Sequence, residues 1–504
     1  MMKRTARALP PVSLGAAASR GAAVTLGAQG LRIVIQLVGI VVLARLLTPV
    51  DYGLVTMILA IIGIADIVRD FGLGQAAVQA KEISERQKSN LFWINALIGL
   101  ALTLIVIAAS GAIAALYDTP ELQPLTIALA VCFFLRGASV QFTANLTRSL
   151  QFGRLAGAET AGQVIGLVLA IILAANGAGA WALAWQQVAQ VTVVLVLCAA
   201  FSRWVPRWYD RRTSIKPFVS FGAAVAGSHL LNYASKNVDS VVLGMRFGAT
   251  SLGLYNRAFQ LVTMPLTQLQ APATRVALPV LSKLQSAPER FAQFILTGQF
   301  AMLVIVGVVT SLCVSESDAI IRLALGREWL AAAPIFQVLA IGGAFQAATY
   351  ASYWVFLALG LVKQNLYYAL ATRPLAIAMI LIGSNWGVMG VAWAYTATLV
   401  LFWPVSLIWL SRVSDAPAKR MFVTGIRWLS VIGVATVGAY AVTELISVHS
   451  SVLRLLAGTA VTLLVIAVAG VALPGLRAQF RDAIALRRFF TRRAPRARLE
   501  GGSE

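Results

Sequence analysis

Apolar residues along this chain gather into runs of about twenty, the length that crosses a bilayer core as a helix. Fourteen helical candidates can be marked, at 22–46, 52–76, 91–115, 122–146, 155–175, 179–200, 218–245, 252–278, 291–315, 330–358, 364–383, 386–410, 421–443 and 452–475. The polar breaks between them are short, and they alternate in charge. Every second break is basic, holding Lys81, Arg86 and Lys88; Arg148 and Arg154; Arg203, Arg207, Arg211, Arg212 and Lys216; Lys283 and Arg290; Lys363; and Arg412, Lys419 and Arg420. Together with the two tails these account for 28 of the 41 Lys and Arg. The intervening breaks hold only Arg45, Arg246, Arg322, Arg327 and Arg454. Basic residues are retained on the cytoplasmic side, so the pattern predicts an even number of spans with both termini cytoplasmic.

A repeat divides the pattern. Leu46-Leu47-Thr48-Pro49-Val50-Asp51-Tyr52-Gly53-Leu54 lies 200 residues before Arg246-Phe247-Gly248-Ala249-Thr250-Ser251-Leu252-Gly253-Leu254. In both, an apolar helix ends, a short turn follows and Gly-Leu opens the next helix. The expected architecture is an all-α polytopic membrane protein of about fourteen transmembrane helices. Two six-helix lobes would be related by a pseudo-two-fold axis along the membrane normal, with two further helices C-terminal to them. The boundaries are a cytoplasmic tail at 1–20, an N-lobe at 21–200, a basic inter-lobe loop at 201–217, a C-lobe at 218–410, a helix pair at 411–475 and a basic tail at 476–504. The loop's Trp204, Trp208 and Tyr209 are placed at the membrane interface. Residues 1–20 contain no compact apolar run with a cleavage site and read as a tail rather than a removed signal.

Composition agrees with a membrane solvent: 59% of residues are hydrophobic and 12% charged, against about a quarter charged in soluble domains. The net charge of +22 follows topology, so nucleic acid is not the expected partner. Cys132, Cys198 and Cys313 all lie in apolar runs with neither metal nor disulfide spacing, and the two histidines are far apart. There is no GxxxxGK[ST], HExxH or GxSxG motif, and the largest break on the less basic side, Glu316–Trp329, is too short for a catalytic domain. These features point to a non-enzyme with no metal and no cofactor.

The informative polar residues are therefore charges inside spans, each costing about 2.5–3.5 kcal/mol at a membrane centre on insertion scales. Arg275 and Arg427 sit near cytoplasmic ends and are expected to snorkel. Arg257 has no acid at i±3 or i±4, and its planar fork suits a phosphate. Asp239 has Lys236 three residues earlier, and either neutralises it or holds a cation or proton. Asp66, Arg69 and Asp70 share one face of their helix, ahead of Phe71-Gly72-Leu73-Gly74, where the glycines permit a break. Arg32 with Gln36, Arg136, Glu159 with Gln163, and Arg373 before Pro374 either line a cavity or pair between helices. Eight basic residues against four acids within the spans favour an anionic substrate.

Leu43-Ala44-Arg45 through Leu54, Asp70-Phe71-Gly72-Leu73-Gly74, Asn237-Val238-Asp239 and Leu252-Gly253-Leu254-Tyr255-Asn256-Arg257-Ala258 resemble the Wzx-type polysaccharide and O-antigen flippases. Within the multidrug/oligosaccharidyl-lipid/polysaccharide exporter superfamily, the likeness is to the colanic-acid-exporter branch. It runs from about residue 20 to 475. The resemblance implies a bacterial inner-membrane protein that turns a glycan on a polyprenyl pyrophosphate carrier to the periplasmic face by alternating access, with the polymerase and glycosyltransferases of its pathway as partners. Tyr255-Asn256-Arg257, Pro265-Leu266 and Leu278 to Lys283 are also similar to lipid II flippases. That similarity implies a cavity role for Arg257 and, by position, for Arg69. Asp239 matches a cation-site acid, but where the partner acid is expected on the eleventh candidate helix this chain offers Asn365 and Arg373. Coupling to an H+ or Na+ gradient thus stays open, with Asp239, tuned by Lys236, or Glu159 as the candidate that senses the ion. The alternatives are a cation-coupled multidrug antiporter of the same superfamily, expected to have an acid-rich cavity, and a membrane glycan polymerase or ligase.

Overall fold

The computed structural model describes residues 12–70, 72–80, 82–216, 218–219, 237–445, 450–473 and 475–481, the side chains of 12–26 and 64–70 excepted. Among the described residues there is no strand. The helices are α1 Val12–Leu46, α2 Pro49–Asp70, α3 Leu73–Gln79, α4 Glu85–Leu116, α5 Leu122–Arg148, α6 Phe152–Ala175, α7 Ala180–Ser202 and α8 Val238–Lys283. They continue as α9 Pro288–Ser315, α10 Ser317–Ala324, α11 Ala333–Ala358, α12 Val362–Gly383, α13 Gly387–Val413, α14 Ala418–Leu445 and α15 Ser451–Ala472. Among the described residues, ten stretches are long and apolar enough to cross a membrane; one of them, Val362–Val413, contains both α12 and α13. The chain is an all-α polytopic membrane protein.

The boundaries follow local chemistry. Ser84 caps α4 reciprocally with Gln87: the Gln87 amide donates to Ser84 Oγ at 3.2 Å, and the Ser84 amide donates to Gln87 Oε1 at 2.9 Å. Asp51 caps α2, taking the Thr48 amide at 2.8 Å and its hydroxyl at 2.7 Å. The span expected at 52–76 is divided at Gly72, which has φ 59°, into α2 and α3. The turn expected between 245 and 252 is one residue: α8 is helical on both sides of Gly248, at φ 75°, ψ −177°. Only glycine enters that region without strain. The break at Glu316–Trp329 is not an open loop. It carries α10 and a 3-10 turn at Arg327–Ala332, and its Trp329 is fully buried.

Two compact units result, Met1–Asn256 with Ala324–Trp329, and Arg257–Leu323 with Leu330–Glu504. In the first, α5 packs on both α4 and α7, α7 on α6, and α6 on α1, while α2 meets α4, α5 and α7. Trp329 is tied into this unit, its indole donating to the Ala44 carbonyl at 2.8 Å and meeting Tyr52 edge-on at 5.5 Å. In the second, α9 packs on α11, α14 and α15, and α13 on α11 and α12.

The sequence echo is a physical contact within the first unit. A Cβ built on Gly53 would lie 1.8 Å from the Ala249 carbonyl oxygen, and one built on Gly253 would lie 1.9 Å from the Pro49 oxygen. Positions 49 and 53 correspond to 249 and 253, so each copy of the turn touches the other through the equivalent residues. Only glycine permits backbones this close.

Candidate functional site

Asp239 lies in the first turn of α8 and is 4% exposed. Its Oδ2 accepts the Tyr255 hydroxyl at 2.9 Å and its Oδ1 the Ser240 amide at 2.8 Å. Sixteen residues of straight helix would separate positions 239 and 255 by about 24 Å. The direct contact exists because α8 folds back on itself at Gly248. Gly244 and Leu243 are packed into the same corner, Gly244 against Tyr117 and Met57. Lys236 lies outside the described residues. Among the described residues no cation reaches Asp239, so two hydrogen bonds compensate a buried carboxyl. Burial of that kind is costly unless the group is paired or protonated.

Arg32 and Glu159 find each other across α1 and α6. The guanidinium pairs with Glu159 Oε2 and also donates to Gln29 Oε1 at 3.0 Å, while Gln163 donates to the Arg32 carbonyl at 3.2 Å. The pair joins the two helices, with both side chains partly exposed. Arg136, half-buried on α5, donates to Gln187 Oε1 of α7 at 3.3 Å. Arg69, with Asp66 and Asp70, falls among the side chains outside the described residues.

In the second unit, Arg257 is half-buried and donates to Gln260 Oε1 at 2.6 Å. At 100° per residue, Arg257, Gln260, Thr267, Gln268 and Arg275 share one face of α8, while Ala258, Val262 and Leu266 on other faces are buried. The five polar residues of this stripe are half-buried or exposed, while Met264, on the same face between Gln260 and Thr267, is buried. The eighteen steps from Arg257 to Arg275, which include Pro265 and Pro272, would cover about 27 Å as regular helix, close to the hydrocarbon thickness of about 30 Å. This stretch is not among the ten long and apolar enough to cross a membrane, and amides and guanidinia at such a depth are tolerated where they meet water or a polar partner rather than lipid. Gln260, Thr267 and Gln268 were not singled out from the sequence, although polar residues at helical spacing in an apolar run were the available signal. Arg373 is half-buried on α12, makes no hydrogen bond among the described residues and sits beside Pro374.

A second polar centre was also missed. Glu316, 1% exposed at the end of α9, accepts Thr443 Oγ1 at 2.7 Å and Arg454 Nε at 3.1 Å. Arg454 also donates to Glu444 at 2.8 Å. The cluster clamps the ends of α9, α14 and α15. Cys132 and Cys198 are buried and Cys313 half-buried, and no disulfide joins them. Among the described residues no group of three or more His, Cys, Asp or Glu could hold a metal.

Comparison with known proteins places this geometry. Residues 42–334 match the model of a family described as "Polysaccharide biosynthesis protein". The chain belongs to that family. It is 29% identical over 376 residues to the teichuronic acid biosynthesis protein TuaB of Bacillus subtilis (strain 168), a match covering 73% of this chain and 77% of the relative. It is 26% identical over 313 residues to the lipopolysaccharide biosynthesis protein WzxC of Escherichia coli (strain K12), covering 61% and 63%. The fold is similar to that of the lipid II flippase MurJ in an inward closed conformation, with a TM-score of 0.68 at 16% identity over 89% of this chain and 99% of that one. The family and its apolar helices make this chain a multi-pass protein of the bacterial inner membrane.

Proposed function

We infer that this family member is a flippase that moves a polyprenyl-pyrophosphate-linked oligosaccharide from the cytoplasmic to the outer face of the membrane for surface polysaccharide synthesis. The observation carrying this reading is the polar stripe of α8. It gives a diphosphate head group a track of guanidinium and amide donors about as long as the bilayer is thick. Its charge also separates this reading from a cation-coupled multidrug antiporter, whose cargo would call for acids where the stripe presents Arg257 and Arg275. Transport then requires no catalytic residue and no cofactor.

Arg257 is the anion-binding group of this reading, with Arg69, Arg136 and Arg373 as further candidates. Arg32 is committed to Glu159, which leaves Asp239 as the carboxylate available for an H+ or Na+ gradient. The two lobes alternate in access, with both termini and the basic loops cytoplasmic. Polymerase and glycosyltransferases of the pathway supply and consume the cargo.

Deletion of the gene should accumulate lipid-linked repeat units on the cytoplasmic face, with wild type restoring export. Arg257→Ala should abolish that restoration, and Arg257→Lys should restore it only in part because one ammonium cannot make the paired hydrogen bonds. Full export by both variants removes Arg257 from the site. Drug resistance conferred without any change in lipid-linked intermediates would favour the antiporter.

A further inference from the structure

We propose that the strap 203–216 is a docking surface for anionic phospholipid headgroups of the cytoplasmic leaflet. The strap has no helix beyond its ends, yet it is held firmly to the foot of α4. Asn90, fully buried, donates to the carbonyls of Asp210 at 2.8 Å and Thr213 at 3.3 Å and accepts the Asp210 amide at 2.8 Å. Ser89 accepts the Arg207 amide at 3.0 Å, and the Trp93 indole donates to the Arg207 carbonyl at 2.8 Å. Trp204 turns inward against Phe92 and Phe142.

Trp208 turns the other way. It is 87% exposed and stacks flat on Trp93, with ring centroids 5.7 Å apart and planes 5° apart. Trp93 begins the exposed apolar stripe of α4 that continues through Leu97, Leu100 and Leu104. In a membrane-spanning helix that stripe faces lipid, so Trp208 extends the lipid-facing surface to its cytoplasmic rim, the level at which tryptophan is favoured. Val205, 80% exposed, lies one residue from the inward-turned Trp204.

Around this apolar tip, Arg203, Arg207, Arg211 and Arg212 are all exposed, and among the described residues none forms an ion pair. The neighbouring acids are already engaged, Asp210 by Arg86 at 3.2 Å, the Thr213 hydroxyl and the Arg212 amide, and Glu85, which also attracts Arg207, by Lys88 at 2.8 Å. Four guanidinia on a pinned backbone beside an inserted indole fit lipid phosphates. A cytoplasmic protein would leave Trp208 beyond the reach of lipid.

The test uses the full chain in nanodiscs of phosphatidylcholine, with and without phosphatidylglycerol, each lipid supplied in turn with brominated chains. The Trp208 contribution is the fluorescence of wild type minus that of Trp208→Phe. Brominated phosphatidylglycerol should quench it several-fold more than brominated phosphatidylcholine at equal mole fraction. The excess should vanish in the quadruple variant Arg203→Gln, Arg207→Gln, Arg211→Gln, Arg212→Gln, and should shrink in 0.5 M salt as screening predicts. Arg207→Lys alone should keep most of it, which guards against a variant that misfolds. Equal quenching by the two lipids, or none by either, overturns the proposal. The second result would place Trp208 in water, as a protein-docking face would.

Discussion

Replacing Gly253 by Ala tests the contact between the two copies of the turn most directly. The added methyl would sit 1.9 Å from the Pro49 oxygen and 3.1 Å from the Gly53 nitrogen. Carbon and carbonyl oxygen approach to about 3.3 Å at closest, so the backbones must part by about 1.4 Å. Both obstructing atoms are main chain, and no rotamer change relieves them. Overpacking of this kind costs about 1–3 kcal/mol, a shift of about 5- to 150-fold against the closed contact. Gly53→Ala should cost a similar amount against the Ala249 oxygen. The double variant should cost far less than the sum, because one parting accommodates both methyls. A cysteine at Ser251, in a background without the three native thiols, would report the opening through its rate of labelling by a membrane-impermeant maleimide. Gly157→Ala on α6, where a Cβ meets nothing within 4 Å, is the control and should leave the rate unchanged. An unchanged rate in Gly253→Ala, or fully additive effects in the double variant, would refute the reasoning.

Three further outcomes follow from other contacts. Arg454→Ala strands the buried Glu316 carboxylate and should destabilise by about 3–5 kcal/mol, read as thermal unfolding in detergent, whereas Glu444→Ala at the exposed end should cost under about 1 kcal/mol. Tyr255→Phe removes a hydrogen bond to a buried carboxyl and should cost about 1–3 kcal/mol. If Asp239 couples transport, it should also move the pH dependence of export, which a purely structural bond would not do. The Arg212 amide, then the Thr213 hydroxyl and Arg86, hold the Asp210 carboxyl below its ordinary value. A depressed folded-state pKa means its contribution is complete above the unfolded value of about 3.9 and is lost as pH falls through the folded one. Strap loosening, followed by Trp208 fluorescence, should therefore begin only below about pH 4, and Asp210→Asn should loosen the strap at neutral pH and flatten that dependence.

Hydropathy made the spans legible because a membrane helix must be apolar on every face that meets lipid. Gly72 was readable as a break for the same local reason. Partnerships were less legible, since hydropathy records whether a residue tolerates oil but not which helix stands opposite. Glu316 and Arg454 are 138 positions apart, and each looked like an ordinary break residue. Arg32 and Glu159 were both noticed, and only packing of α1 on α6 joined them. Asp239 was singled out for its charge, while its hydroxyl partner was hidden by the fold-back at Gly248.

The reciprocal touch of position 49 on 253 and of 249 on 53 has the form of a homodimer interface, in which one self-complementary patch meets its own copy. In a homodimer any mutation there would appear twice, and both copies would have to tolerate it. Joined in one polypeptide, the copies are free of that constraint, and the equivalent positions differ, Pro49 in one and Ala249 in the other. The two glycines stay tied to each other, each leaving the space that the other copy's backbone fills.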